Sequence, residues 1–162
     1  MSIHIRPATS ADAELVFGLI CKLAVYEKLR HEVVATVETI CETIFGPDSC
    51  TEVLIAEWNG EPAGFAIFFA TYSTFLGRQG IYLEDIYVRE ELRGHGIGKR
   101  LLAEVARVAV DRQCGRLEWS VLDWNKPAID FYESLGAEAQ SEWIRYRMTG
   151  EALQALAHQA HL

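Results

Sequence analysis

The most informative stretch of this chain is a short glycine-rich segment between a predicted strand and a predicted helix. It reads Arg93-Gly94-His95-Gly96-Ile97-Gly98 and is called the glycine loop below. Glycines at such a junction let backbone N–H groups approach an anion at the helix N-terminus without obstruction by side chains. The glycine loop therefore predicts a phosphate-binding site.

Two well-known phosphate motifs do not fit the glycine loop. A P-loop ending at Gly98-Lys99 needs glycine at position 93 and serine or threonine at position 100, and arginine stands at both. A dinucleotide fingerprint starting at Gly94 needs glycine at position 99, where the chain has Lys99. A plain turn would also explain clustered glycines, so the flanking sequence must decide between a turn and a phosphate-binding loop.

Two adjacent carboxylates, Glu84 and Asp85, lie on the predicted strand that leads to the glycine loop. An amine with a pKa of about 10 is protonated at neutral pH and cannot act as a nucleophile until a proton leaves. A nearby carboxylate can hold the ammonium and accept its proton, directly or through water. Adjacent residues of a regular strand point to opposite faces, so both acids share a cleft only if the strand has a bulge. Alternatively, they cover a sheet edge or pair with a basic residue.

The elements around these residues follow from hydrophobic periodicity and turn signals. Strands are predicted at 2–6, 52–58, 63–72, 80–88, 117–122 and 143–148, with a tight hairpin at Asn59-Gly60. Helices are predicted at 10–29, 37–44 and 99–112, between Asn125 and Gly136, and as a frayed helix from Gly150. The order predicts a single α/β domain over residues 1–162, built around one sheet.

Composition limits the partners and the compartment. A net charge of -8 disfavours nucleic acid and anionic membranes, and mildly favours a positively charged ligand. The longest apolar stretch, 63–70, is too short to cross a bilayer, and the first residues show no export signal. The four cysteines are widely spaced, and the histidines lack metal-ligand spacing. We expect a cytoplasmic protein with reduced thiols and no metal.

The glycine loop resembles the pyrophosphate motif of the GNAT superfamily of N-acetyltransferases. That motif is Gln or Arg, two residues, Gly, one residue, then Gly or Ala, and Arg93, Gly96 and Gly98 match it. The stretches 83–88 and 124–137 resemble the flanking motifs, in the same order along the chain.

Within the superfamily the chain is most similar to the spermidine/spermine (diamine) acetyltransferases and their thialysine-acetylating relatives. The stretches that carry this likeness are residues 24–27, 82–85, 93–98 and 124–132. Two residues depart from the pattern, since Lys99 replaces a small residue and Lys126 an acidic one.

The resemblance implies a fold and an activity. The fold is the GNAT acyl-CoA N-acyltransferase fold, an α/β architecture with a central mixed, mostly antiparallel sheet flanked by helices. The activity is transfer of the acetyl group of acetyl-CoA to a primary amine of a small cationic substrate, by direct attack in a ternary complex. The substrate would be a diamine, a polyamine or a lysine analogue. A homodimer with C-terminal strands near Trp143 at its interface is also implied.

The resemblance further assigns roles to individual residues. Glu84 is expected to accept the amine's proton, and Tyr132 to protonate the departing thiolate, although a tyrosine there is otherwise ordinary core. Backbone N–H groups of residues 86–88 are expected to stabilise the oxyanion, and Asn125 to cap its helix and contact pantetheine. The residues expected to bind the coenzyme are Ile86, Tyr87, Val88, Arg93, Gly94, His95, Gly96, Ile97, Gly98, Lys99, Asn125, Lys126, Pro127 and Ala128. Those expected to bind the amine are Tyr26, Glu27, Glu84, Asp85 and Glu142.

Two other functions remain open at this point. The same fold could acetylate a protein N-terminus, an antibiotic or another small amine, which would need an open groove or a differently charged pocket. The chain could also be an acyl-CoA-binding sensor without catalysis, against which the presence of both Glu84 and Tyr132 argues.

Overall fold

A computed structural model describes residues 1–161 and divides the chain into two compact units, Met1–Leu122 and Asp123–Leu162. The first unit contains one five-stranded sheet, in which the strands lie side by side in the same order as in the sequence. Its strands are β1 (Ile3–Pro7), β2 (Thr51–Trp58), β3 (Glu61–Ser73), β4 (Arg78–Val88) and β5 (Leu117–Trp119). The first four strands pair antiparallel and β5 pairs parallel with β4. The predicted mixed, mostly antiparallel sheet is confirmed.

Three α-helices belong to the first unit, namely α1 (Ala13–Tyr26), α2 (Val37–Ile44) and α3 (Ile97–Asp111). Side chains of α1 and α2 form one apolar cluster with alternate residues of the sheet, including Ile55, Phe65, Ile67 and Tyr87. The buried side chains of α3 cover the other face. Because both faces are covered, residues 53–56 of β2 are all buried, as in an interior strand with a continuous apolar run.

The predicted helix 10–29 is shorter in the structure, and its end has a specific cause. Lys28 adopts a left-handed backbone conformation with φ of 61°, which no α-helix can continue through. Its N–H donates to the Val25 carbonyl at 3.0 Å, and the Leu29 N–H donates to the Ala24 carbonyl at 2.8 Å. These two bonds form a Schellman motif, which satisfies the last carbonyls of α1.

The second unit contains α4 (Lys126–Ser134) and α5 (Gly150–His158). The strand predicted at 143–148 is wrong, because residues 143–149 have no regular structure. Alternating β-formers predict a strand, yet a strand exists only where a neighbour accepts its backbone hydrogen bonds. Trp143, Ile144 and Tyr146 are instead exposed, at 76%, 77% and 89% of their surface. Among residues 1–161, no helix combines the length and the hydropathy that a membrane span requires.

Candidate functional site

The glycine loop has the backbone shape of an anion-binding site. Gly94 and Gly96 both have φ of 82°, a left-handed conformation that alternates with the ordinary conformation of their neighbours. Alternation of this kind directs successive N–H groups into one concave surface. Gly96 is also the N-cap of α3 and offers no side-chain cap. The first N–H groups of α3 are therefore available to an anionic ligand, and the positive end of the helix dipole favours one.

The side chain of Arg93 fixes the start of the glycine loop. Its Nε donates to the backbone carbonyl of Val88 at 3.0 Å. Its guanidinium carbon lies 4.6 Å from the ring centroid of Tyr26 and 5.4 Å from that of Tyr87. Arginine is suited to this position because its planar cation can stack on aromatic faces while it donates a hydrogen bond.

The side chain of His95 fixes the middle of the loop. Its ring packs against Trp58, with 4.9 Å between centroids. Its Nδ1 lies 3.2 Å from the carbonyl oxygens of Leu92 and Arg93, to which the tautomer protonated at Nδ1 can donate. The sequence gives no sign of the role of Trp58, because no local pattern links a residue beside the Asn-Gly turn of the β2–β3 hairpin to the glycine loop. The loop is therefore held in shape by side chains that leave its N–H groups open.

Strand β4 has an edge without a strand partner next to the glycine loop. β5 pairs with β4 only from Ile81 to Leu83, whereas β4 continues to Val88. The N–H of Arg89 bonds the Ala63 carbonyl of β3 at 2.9 Å. Because N–H groups alternate along a strand, those of residues 86 and 88 are directed at the opposite edge and that of residue 87 at β3. Past the end of β5, the described residues of the chain supply no strand to pair with this edge.

The bulge that the adjacent carboxylates require is present in β4. The register with β3 shifts, so that Ile67 opposes Asp85 and the next residue, Phe68, opposes Leu83. Glu84 is the extra residue between these two pairs. Asp85 therefore shares the α1 face of the sheet with Ile67, and Glu84 is freed from the alternation that would separate the two acids.

Glu27, Glu84 and Asp85, called the acidic set below, interact electrostatically. Burial, then the charge of Glu84, then that of Glu27, raise the pKa of Asp85 from 3.8 to about 7. Burial also raises the pKa of Glu27. None of the three carboxylates forms an ion pair with a cation among residues 1–161. Pairing with a basic residue, one of the two alternative interpretations of Glu84 and Asp85, is therefore wrong.

The remaining predicted residues lie in the second unit. Asn125 occupies the N-cap position of α4, but its side chain makes no capping hydrogen bond, so the predicted capping role is wrong. Pro127, at the second position of the helix, has no N–H, which removes one of the two donors that an N-cap side chain can bond. Asn125 also has φ of -83° and ψ of 67° instead of the extended backbone usual at an N-cap. Lys126 pairs with Asp130 at 2.9 Å, and Ala128 lies in the same first turn. Half-buried Tyr132 also lies on α4, whereas Glu142 is exposed in the irregular segment that follows.

A groove elsewhere in the first unit does not contain the predicted site. It has a volume of about 560 Å³ and is lined by β1, β2, β3, the end of α2 and the second half of α3. Its charged residues neutralise one another, as in the pair of Arg112 with Glu52 at 2.7 Å. In the part of the chain that the structure describes, no group of three or more histidine, cysteine or acidic side chains is arranged to hold a metal ion.

Known proteins resemble this chain over most of its length. The family model of the acetyltransferase (GNAT) family matches residues 20–137. A thialysine N-epsilon-acetyltransferase of Sus scrofa is 41% identical over 96% of this chain and 98% of its own. An L-ornithine N5-acetyltransferase of Arabidopsis thaliana is 36% identical over 96% and 88%. An integron cassette protein from V. cholerae superposes with a TM-score of 0.81 at 27% identity, over 97% and 98% of the two chains.

The family match, the two enzyme relatives and the observed sheet therefore agree with the resemblance that the glycine loop first indicated. The chain is an enzyme that belongs to the acetyltransferase (GNAT) family, whose members use acetyl-CoA.

Proposed function

We propose that this enzyme acetylates a primary amine of a small cationic substrate, namely a diamine, a polyamine or a lysine analogue. The observation that carries the proposal is the acidic set, which has no cationic partner among residues 1–161 and lies on the strand leading to the glycine loop and at the adjoining end of α1. Thialysine and ornithine, named for two relatives, are both basic amino acids with a side-chain amine. A cation is the ligand that offsets the mutual repulsion of these carboxylates.

Acetyl-CoA fits the backbone donors of the first unit. We assign its pyrophosphate to the N–H groups of the glycine loop and of the first turn of α3, with Lys99 adding positive charge nearby. The open edge of β4 offers N–H groups of residues 86 and 88 to the pantetheine amide and to the thioester oxygen. From the resemblance, we assign Asn125 and the first turn of α4 to the pantetheine arm as well. We propose that both units act together as one acetyltransferase domain.

The reaction would proceed by direct attack in a ternary complex. Asp85 and Glu27 hold the ammonium, and Glu84 accepts one proton, directly or through water. The neutral nitrogen then attacks the thioester carbon, and the negative charge that develops on the oxygen is stabilised by backbone N–H groups. The carbon–sulfur bond breaks and the phenol of Tyr132 protonates the thiolate. The nitrogen, which carries one proton too many after it bonds to carbon, releases that proton through water to the Tyr132 phenolate, and the amide product leaves. The net reaction converts amine and acetyl-CoA into amide and CoA without any redox change.

We further propose a homodimer and a reducing, cytoplasmic location. Support for the dimer comes from the apolar side chains of residues 143–148, which are exposed although their alternation is that of a strand with one apolar face. A second copy would supply the strand neighbour that the segment lacks. Light scattering of the wild type and of an Ile144→Ser, Tyr146→Ser variant tests this, and a wild-type monomer contradicts it. The location rests on the cysteines, which are all free.

The test of function is CoA release from acetyl-CoA with a panel of acceptors. The panel contains thialysine, ornithine, lysine, putrescine, spermidine and a peptide with a free N-terminus. Glu84→Gln and Tyr132→Phe are assayed beside Glu61→Gln, which removes an exposed carboxylate outside the acidic set. We expect turnover of a basic amine, a fall of about 100-fold in kcat for the first two variants, and wild-type rates for the third. Turnover of the peptide alone would favour a protein acceptor, and coenzyme binding without turnover a sensor.

A further inference from the structure

One side chain, that of Arg93, links the glycine loop to both elements that carry the acidic set. Its guanidinium contacts the ring of Tyr26, the last residue of α1, and the ring of Tyr87 on β4. Tyr87 lies on the same face of β4 as Asp85. The backbone N–H of Arg93 bonds the Glu90 carbonyl at 3.2 Å, which ties the same residue to the turn before the loop. A movement of the glycine loop therefore displaces the group that packs on Tyr26 at the end of α1.

Phosphate binding does not account for these contacts. The loop offers an anion its backbone N–H groups, whereas the guanidinium of Arg93 is engaged with two ring faces and the Val88 carbonyl. Lysine would supply the same charge to a phosphate but has no planar group to stack. The contacts are consistent with a role in holding protein elements in position.

We propose that Arg93 is a positioning residue that couples coenzyme binding to the acceptor side of the site. Binding of pyrophosphate fixes the glycine loop and Arg93 with it, and the ring contact then fixes Tyr26 and the adjoining Glu27. Bound coenzyme thereby raises the affinity for the amine, and the amine raises the affinity for the coenzyme by the same factor. The inference rests on the proposed function only in that the glycine loop binds CoA.

The end of α1 provides a direct readout that needs no amine. Its last turn is closed by three backbone hydrogen bonds, donated by Glu27, Lys28 and Leu29 to the carbonyls of Leu23, Val25 and Ala24. Hydrogen exchange at the amides of residues 27–29 measures how often this turn opens. The two cation–π contacts correspond to a coupling of about fivefold, so saturating CoA should slow this exchange about fivefold in the wild type.

Substitutions of Arg93 and Tyr26 test whether the coupling needs both the positive charge and the planar group of Arg93, and the ring face of Tyr26. Arg93→Gln keeps a donor for the Val88 carbonyl but has no cation, and Arg93→Lys keeps the cation but has no planar group. In both, CoA raised to a saturating concentration should protect the amides of the glycine loop without slowing exchange at residues 27–29. Tyr26→Phe keeps the ring face and should keep the coupling, whereas Tyr26→Leu should lose it. Wild-type exchange rates in β3 establish that each variant is folded.

Two results would overturn the proposal. In one, CoA protects the wild-type loop but not residues 27–29. In the other, CoA slows exchange at residues 27–29 equally in the wild type and in Arg93→Gln. If CoA fails to protect the wild-type loop at all, the coenzyme site assigned under the proposed function is wrong, and the coupling is lost with it.

Discussion

Replacement of Asp85 by asparagine should stabilise the protein while weakening the binding of its amine substrate. The carboxyl is largely buried and faces two other carboxylates, which together raise its pKa to about 7 from an ordinary value of 3.8. Above pH 7 the Asp85 carboxylate is therefore ionised in the folded protein, where its negative charge costs more free energy than in the unfolded chain. The asparagine side chain has nearly the same shape without that charge, so the variant should resist denaturation better at high pH.

The size and the pH window of the effect follow from linkage. Between pH 4 and pH 7 the folded state holds a proton that the unfolded state has released, so stability falls as the pH rises through this window. The full difference between the two pKa values of Asp85, 3.8 and about 7, corresponds to a loss of about 4 kcal/mol of folding stability above pH 7. At pH 5 only about 1.5 to 2 kcal/mol of this penalty is present. The advantage of the variant should thus be larger at pH 8 than at pH 5 by about 2 to 3 kcal/mol.

Urea denaturation of wild type, Asp85→Asn and Glu61→Gln at the two pH values measures this difference. The desolvation cost of the amide does not change with pH and cancels, as do the titrating groups that do not interact with Asp85. Glu61, exposed at the start of β3, serves as a control for loss of one negative charge and should show no comparable pH dependence. An equal gain at both pH values, or a loss of stability at pH 8, would refute the burial and repulsion inferred for Asp85.

Three further expectations follow from the same site. The kcat/KM for a basic amine should fall about tenfold per pH unit below pH 7, as Asp85 gains a proton, and Glu84→Gln should move this fall to lower pH by removing a neighbouring charge. Gly96→Ala, at φ of 82°, should cost about 1 kcal/mol in stability and raise the KM for acetyl-CoA about tenfold. Gly98→Ala should do neither, because its new Cβ meets the nearest atom at an ordinary 3.7 Å.

The sequence predicted those features that depend on neighbouring residues. The glycine loop lies between a strand and a helix as expected, because glycine spacing and helical periodicity are local signals. The sequence predicted only that Glu84 and Asp85 share a cleft if β4 has a bulge. Whether the bulge is present depends on the register of β4 with β3, which the local sequence does not determine. The contact of His95 with Trp58 joins residues far apart in the chain, and no local pattern indicates it. The predicted strand at 143–148 failed for a related reason, because a strand depends on a neighbour that its own residues do not specify.

The two irregularities of β4 occur at consecutive positions, and the proposed reaction needs both. β5 stops opposite Leu83, which opens one edge of β4 to a ligand, and the bulge at Glu84 then brings two carboxylates out of strict alternation. Nucleophile activation calls for negative charge, whereas the developing oxyanion calls for N–H donors. A single strand can supply both without mutual cancellation, because side chains leave through its face and backbone donors through its edge. A regular, fully paired β4 would bury the donors in the sheet and separate the two acids, so the departures from regularity are what suit this strand to acetyl transfer.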